Sequence, residues 1–482
     1  MAGLVAGVDC STQSTKVLVV DPDGGEVVAT GRAEHTVTGE RGARETDPRQ
    51  WWAALSLALK ATGRARDVGA IAIGGQQHGL VVLGKDREPL RPAMLWNDTR
   101  SSGEADHLID ALGQSFWAEQ IGSRPVASFT VTKWAWLRAH EPDVAVASRA
   151  IRLPHDYLTE RLTGKPVTDR GDASGTGWWS GATGAYAPEV LELPSVGLDA
   201  SLLPDVYGPV EAAGEVVAPV AADLGLAPSV VVGPGTGDNA AAALGLGLEP
   251  ARPVVSLGTS GTAYAVSLRL PTDRAGTVAG FADATGHFLP LAATLNCTLA
   301  VDRVASLLGV DREDVAPSGD LVFLPYLDGE RTPNLPRASG TLIGVRHDSR
   351  AQQVLMAAYE GAAVSLLDAI EAIAAQSGGM DPEAPLILIG GGARGRTWRS
   401  VFARLSGRPL LIPDAEELVA LGAAVQATAV WRGEDPVEVA QRWGTQSGAR
   451  LDAVTREDAT LAQIRATREA VAASPVLSGQ RS

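Results

Sequence analysis

One device occurs twice in this chain of 482 residues: a strand, a short loop of Ser, Thr and Gly, and a returning strand. In the first copy, residues 4–9 lead through Cys10-Ser11-Thr12-Gln13-Ser14-Thr15 into residues 16–21. In the second, residues 253–257 lead through Gly258-Thr259-Ser260-Gly261-Thr262 into residues 263–267. A repeat of this kind limits the fold more than composition does, because each copy opens a sheet that needs its own core. The length agrees, since 482 residues exceed what one hydrophobic core usually serves. Two domains are expected, residues 1–247 and 248–482, with the join near residues 247–253.

Between the loops, strands and helices alternate. A Pro-Asp-Gly-Gly turn precedes a third strand at 26–30. Asp47-Pro48 then starts a helix that carries Trp51, Trp52, Leu55 and Leu59, with Asp as N-cap and Pro where its missing N–H costs nothing. A strand at 70–73 follows. Residues 100–230 read as an insertion that shapes a pocket wall, with helices at 133–140 and 156–162 and a Gly/Ser/Trp loop at 171–184. A strand at 230–232 enters Gly233-Pro234-Gly235-Thr236-Gly237-Asp238-Asn239 and an alanine-rich helix. In the second half, a strand at 386–389 precedes Gly390-Gly391-Gly392-Ala393-Arg394, then come a strand at 409–412 and a helix from Leu421. Residues 434–482 read as charged helix with a frayed polar end.

Several function classes are excluded. The start has no basic n-region or cleavage site, and no apolar run approaches the roughly 18 residues that span a bilayer, so no membrane partner is expected. The two cysteines, Cys10 and Cys297, rule out a disulfide framework and suit the cytoplasm. A net charge of −15 repels phosphate backbones, so nucleic acid is not an expected partner. A small-molecule substrate is, and a homodimer stays open.

The loops carry the chemistry. Short side chains and backbone N–H groups at Ser11, Thr12, Ser14 and Lys16 can bind phosphate oxygens, and Asp9 at the strand end is placed to hold Mg²⁺. An ordinary hairpin turn would look the same taken alone. The second copy, Gly258 with Thr259, makes a two-sided grip on the β- and γ-phosphates of ATP the stronger reading. Neither loop is a Walker A sequence, and Gly233 to Asp238 lacks the last Gly of the dinucleotide fingerprint. Asp238 is the candidate general base: three glycines precede it, and a helix N-terminus there favours negative charge. Capping that helix is its commoner alternative role. Gly391, Gly392 and Ala393 would let the backbone lie flat against a nucleoside. Gln76-Gln77-His78-Gly79 and Trp96-Asn97-Asp98-Thr99-Arg100 combine amide, imidazole, indole and carboxylate groups that suit a hydroxyl-rich ligand.

These loops, in this order and spacing, resemble the FGGY carbohydrate kinases from about Leu4 to about Val430. The family's C-terminal signature is met by residues 340–345 together with 353–360, and its N-terminal counterpart around residues 133–137 is met in part. The resemblance implies an α/β fold of two actin-like (ribonuclease H-like) domains, each a mixed sheet flanked by helices, with the active site in the cleft between them. It implies Asp238 as base, Asp9 near Mg²⁺, Thr259 beside phosphate, residues 391–393 beside adenosine, and Gln77, His78, Trp96, Asp98 and Asn239 around the sugar. Gln-x-His-Gly at 76–79, Trp-Asn-Asp-x-Arg at 96–100, Gly-Glu-Arg-Thr-Pro at 329–333 and Gly-Asp-Asn-Ala at 237–240 look like the branch that phosphorylates the terminal hydroxyl of D-xylulose. Ribulose, xylitol or gluconate are the alternatives within the family, and an actin-like ATPase without sugar transfer lies outside it. Two positions depart from the pattern: Ser11 stands where the family usually has Gly, and Gln77 where that branch commonly has Met.

Overall fold

The computed structural model describes residues 3–474, so the polar end expected beyond them lies outside the described residues. The first half opens with β1 (Leu4–Cys10), β2 (Ser14–Val20) and β3 (Val27–Glu34), followed by α1 (Pro48–Ala61) and β4 (Val68–Gly75). Asp47 caps α1 by accepting from Arg49 N, as its position before Pro48 requires. After the insertion, which includes α2 (Pro154–Thr163) and α3 (Arg170–Ser174), the sheet resumes with β5 (Gly214–Glu215), β6 (Val231–Val232) and β7 (Thr236–Gly237). Then α4 (Asp238–Gly245) closes the half. The strand order is β5-β6-β4-β1-β2-β3, with β7 pairing β4 beyond β6.

The second half repeats the plan with β8 (Val254–Leu257), β9 (Gly261–Tyr264), β10 (Ala279–Ala282), β11 (Phe288–Thr294), α5 (Ala351–Ser377), β12 (Leu386–Ile389), β13 (Leu410–Pro413), α6 (Leu418–Arg432) and β14 (Gly448–Leu451). Its order is β10-β11-β9-β8-β12-β13-β14. In both sheets an antiparallel meander passes into parallel strands beside its first strand: β1 pairs β4 and β8 pairs β12.

Every residue of β1 is buried because helices cover both faces. On one side Trp51, Leu55 and Leu59 of α1 share a core with Val8, Val17 and Val19. On the other, Ala420 and Ala424 of α6 pack with Val5, Leu18 and Ala70. The helix from the second half thus lies on the first sheet, while Ala240, Ala243 and Leu244 of α4 share a core with Val254, Tyr264, Ile387 and Leu411 of the second. The crossing is backbone to backbone. A Cβ on Gly422 would lie 1.9 Å from the Ala241 carbonyl oxygen, and one on Gly7 1.9 Å from that of Ala420. Only glycine allows such approach.

Three local expectations change. The second loop is shorter, because β9 begins at Gly261. Within the segment read as a loop at 171–184, α3 forms because the Asp169 carboxylate accepts from Gly171 N and Asp172 N. The tail contributes a strand as well as helix: β14 pairs β13, Leu451 opposite Leu410. Among the described residues, only α5 is long and apolar enough to cross a membrane, and it is the buried core helix of the second half.

Candidate active site

Parallel strands collect the site. Asp9 pairs in register with Gly74, Thr236 also with Gly74, and Gly237 with Gly75, so the C-terminal ends of β1, β4 and β7 lie side by side. Asp9 lies at the end of β1, and Gln77, His78 and Asp238 follow the ends of β4 and β7, where open α/β sheets receive ligands. A cavity of about 670 Å³ opens beside Asp9 and Asp238, and Gln77 and His78 stand outside its lining. The first half lines it with Asp9, Lys16, Asp238 and Asn239, and the second with Ser256, Tyr264, Gly390, Gly391, Ala393, Arg394 and Glu417, among others.

Asp238 is the first residue of α4. Burial, reinforced by the negative charge of Asp172, pushes its carboxyl up to about 7, although Asn239 donates to Oδ1 from its backbone N at 2.8 Å and its Nδ2 at 2.9 Å. A carboxyl poised there can hold and release a proton near neutrality. Asp9 also rises to about 7, chiefly through burial, with Lys16 opposing at 4.0 Å and Asp238 and Glu417 adding to the rise. Its Oδ1 is buried without a partner. A carboxylate with one unpaired oxygen, lining a cavity that Asp238 shares, fits Mg²⁺, which takes one or two carboxylates and completes its shell with water and phosphate.

The sugar-side residues form a chain. Gln77 Oε1 accepts from Asn239 Nδ2 at 2.9 Å, and the same amide donates to Asp238. His78 adopts φ 66°, its ring stacked on Phe129 at 5.2 Å. Burial, then Lys133, pushes its pKa down to about 3, so the ring is neutral. Nδ1 lies 2.8 Å from the Gly175 carbonyl oxygen and must carry the proton. Nε2 is therefore an acceptor, suited to a hydroxyl. Lys133, fully buried, donates to the carbonyls of Ala127, Ser128 and Phe129 and so holds the turn under that ring.

The other expected residues divide between the cavity wall and its surroundings. Asp98, expected on the sugar, is fully buried, and Arg44 N and Arg100 engage its carboxylate, so it braces the wall. Trp96 is 43% exposed and donates from Nε1 to Thr12 Oγ1 at 3.1 Å, joining the sugar side to the first loop. Ser11 turns its hydroxyl onto the Ser14 carbonyl, and Ser14 is a buried strand residue. Lys16 reaches across to Glu417 at 2.5 Å. Thr298 Oγ1 donates to the Gly258 carbonyl at 2.7 Å, and Thr259 is exposed. Ser11, Thr12, Ser14, Gly258 and Thr259 do not line the cavity. A Cβ on Gly391 would meet no protein atom within 4 Å, whereas one on Gly392 would lie 2.8 Å from both Leu257 Cβ and Thr298 Cγ2. Gly392 serves packing, and Gly391 faces the open space. Sequence inspection missed Tyr264, whose buried hydroxyl lacks a partner at the cavity wall, and Glu417. Nothing in their local sequence separates them from core or surface residues.

Residues 4–245 match the sequence model of the N-terminal domain of the FGGY family of carbohydrate kinases, and residues 254–431 match that of the C-terminal domain. This chain belongs to the FGGY carbohydrate kinases. It is 61% identical over 463 residues to a xylulose kinase of Streptomyces coelicolor, covering 96% of this chain and 95% of that one. It is 35% identical over 420 residues to a xylulose kinase of Klebsiella pneumoniae, with 84% and 85% covered. The crystal structure of a xylulose kinase from Bifidobacterium adolescentis superposes with TM-score 0.85 at 35% identity, covering 97% of this chain and 99% of that one. The duplicated sheet plan is thus the FGGY kinase fold, and the cavity lies where the two family domains meet.

Proposed function

We propose that this FGGY kinase transfers the γ-phosphoryl group of ATP to the terminal O5 hydroxyl of D-xylulose, giving D-xylulose 5-phosphate and ADP. The observation that carries the substrate is the 61% identity to a xylulose kinase across nearly the full length of both chains. The site chemistry supports it: a raised carboxyl at Asp238, tied through Asn239 to Gln77, stands near a neutral histidine acceptor at His78. Asp238 takes the proton of the attacking hydroxyl as the oxygen approaches the phosphorus in line. Gln77, His78 and Asn239 hold the open-chain sugar. Gly391 and the backbone to Ala393 receive the nucleoside, while Thr12, Lys16 and Thr259 approach the phosphates as the halves close. Mg²⁺ held by Asp9 would neutralise charge on the β- and γ-phosphates.

Most of the barrier reduction in phosphoryl transfer comes from positioning and charge neutralisation, and the base adds about 10²- to 10⁴-fold. Water competes for the phosphoryl group, so closure on the sugar must precede transfer. The activity belongs in the cytoplasm, where ATP is available and the buried thiols of Cys10 and Cys297 stay reduced. Coupled ADP detection over a panel of pentuloses, hexuloses and polyols tests the substrate. D-Xylulose should give the highest kcat/KM; a higher value for ribulose, xylitol or gluconate would replace it.

A further inference from the structure

Around His155, which has no role assigned above, lies a buried charged cluster. His155, at the start of α2, places Nε2 3.3 Å from Asp156 Oδ1, 3.4 Å from Asp169 Oδ1 and 3.2 Å from Asp172 Oδ2. All four side chains are almost fully buried. An imidazole enclosed by three carboxylates at this range carries a proton, because burying that much negative charge without a cation would cost far more than protonating the ring. In agreement, the neighbouring aspartates raise the His155 pKa well above its ordinary value despite burial. The space is fitted to this ring: a Cβ on Gly235 would lie 2.7 Å from His155 Nδ1, and one on Gly75 would lie 3.1 Å from its Cβ.

Two arms run from the cluster to the site. Asp169 Oδ2 accepts from Thr236 Oγ1 at 2.7 Å, and Thr236 belongs to β7, the strand that delivers Asp238. Asp169 also caps α3, which contains Asp172. The Asp172 carbonyl receives Gly175 N at 3.0 Å, and the Gly175 carbonyl fixes the His78 tautomer. On its outer face, α3 touches the second half, where Ala282 N of β10 donates to Ser174 Oγ at 2.9 Å.

We propose that His155 is a positioning residue that, through Asp169 and Asp172, registers the strand bearing Asp238 and the turn bearing His78 against each other while touching neither substrate. The proposal rests on the roles given to Asp238 and His78. The charged groups around the imidazole are the three aspartates, with Arg152 acting on Asp156 and the Asp172 charge felt at Asp238. Burial raises the Asp156 and Asp172 carboxyls in turn, Asp172 to about 7, and where Asp172 is ionised its charge favours proton capture at the base. Through Asp169 and Thr236 the cluster thereby sets the place of Asp238.

Three substitutions, His155→Gln, His155→Lys and Thr236→Val, test the proposal through D-xylulose and ATP steady-state kinetics, the pH profile of kcat/KM, and melting temperature. Thr236→Val cuts only the base arm, with every charge kept: kcat should fall about tenfold with the D-xylulose KM within twofold, the loss of one hydrogen bond to a charged group. His155→Gln should lower kcat and raise the D-xylulose KM together, with kcat/KM down about 10²-fold, the scale of a misplacement near 1 Å. His155→Lys, which restores the cation, should recover most of that loss and the acid limb of the pH profile. If the folded Gln variant only melts earlier, with kcat, KM and pH profile unchanged, the cluster is merely structural and the proposal is overturned. Should that variant not fold, an unchanged kcat in Thr236→Val overturns it equally. Asp238→Asn, measured alongside, separates the two readings: an active Asp238→Asn removes the base, whereas an inactive one beside wild-type-like His155 and Thr236 variants removes only the cluster's role.

Discussion

Replacing Asp238 by Asn should stabilise the protein, and the gain should grow with pH. Burial, then the Asp172 charge, raises this carboxyl from 3.8 to about 7. A folded pKa above the unfolded one means that the native state keeps a proton the unfolded chain has released. Native stability therefore falls as pH rises from about 4 to about 7 and is level above that, the opposite of the usual salt-bridged carboxylate. At about 1.4 kcal/mol per unit, a rise of about three units costs the native state up to about 4 kcal/mol at pH 8. The cavity admits solvent to part of the side chain, and screening brings the expected cost nearer about 2 kcal/mol. Asn keeps the geometry, since its Oδ1 can still accept from Asn239 N and Nδ2. Urea unfolding of both proteins without nucleotide or magnesium, at about pH 4.5 and about pH 8, reads the difference. The gap at the lower pH should be about half that at the higher one. An equal gap at both, or a variant less stable than wild type at pH 8, would refute the raised pKa and the reasoning built on it.

Gly391→Ala should fold normally, because its added methyl meets no protein atom within 4 Å, yet raise the ATP KM about tenfold by filling the nucleoside's space; an unchanged ATP KM would place the nucleoside elsewhere. Gly422→Ala forces a Cβ to within 1.9 Å of the Ala241 carbonyl and should cost about 1–3 kcal/mol or more, read by thermal melting, by prying α6 from α4. Asp9→Asn should lift the magnesium concentration needed for half-maximal rate at least tenfold while sparing the D-xylulose KM; an unchanged magnesium requirement would remove Asp9 from the metal.

The two strand-loop-strand copies, the capped helix at Pro48–Ala61 and the strand entering Asp238 were legible because each is written in consecutive residues. Strand periodicity, a helix cap and a glycine-rich turn are local physics. The crossing of α6 over the first sheet was not legible, since Gly422 reads as one small residue in an alanine-rich helix until Ala241 lies against it. The strand at Gly448–Leu451 is mostly exposed, so it lacks a buried apolar signature and forms because β13 offers an unpaired edge. Asp98 shows what local sequence omits: a carboxylate beside Trp96 suits a sugar, and in the fold Arg100, two residues on, engages it. His155 and its aspartates, spread over residues 155–172, come together only through the fold of the insertion.

We place Asp238 as the base in a phosphoryl transfer between the two halves. Steady-state turnover of Asp238→Ala with saturating D-xylulose and ATP, set beside its nucleotide Kd, tests it most directly. A fall in kcat of about 10²- to 10⁴-fold with the nucleotide Kd unchanged is the predicted result. Turnover within a few-fold of wild type, with the same magnesium dependence, would contradict the claim.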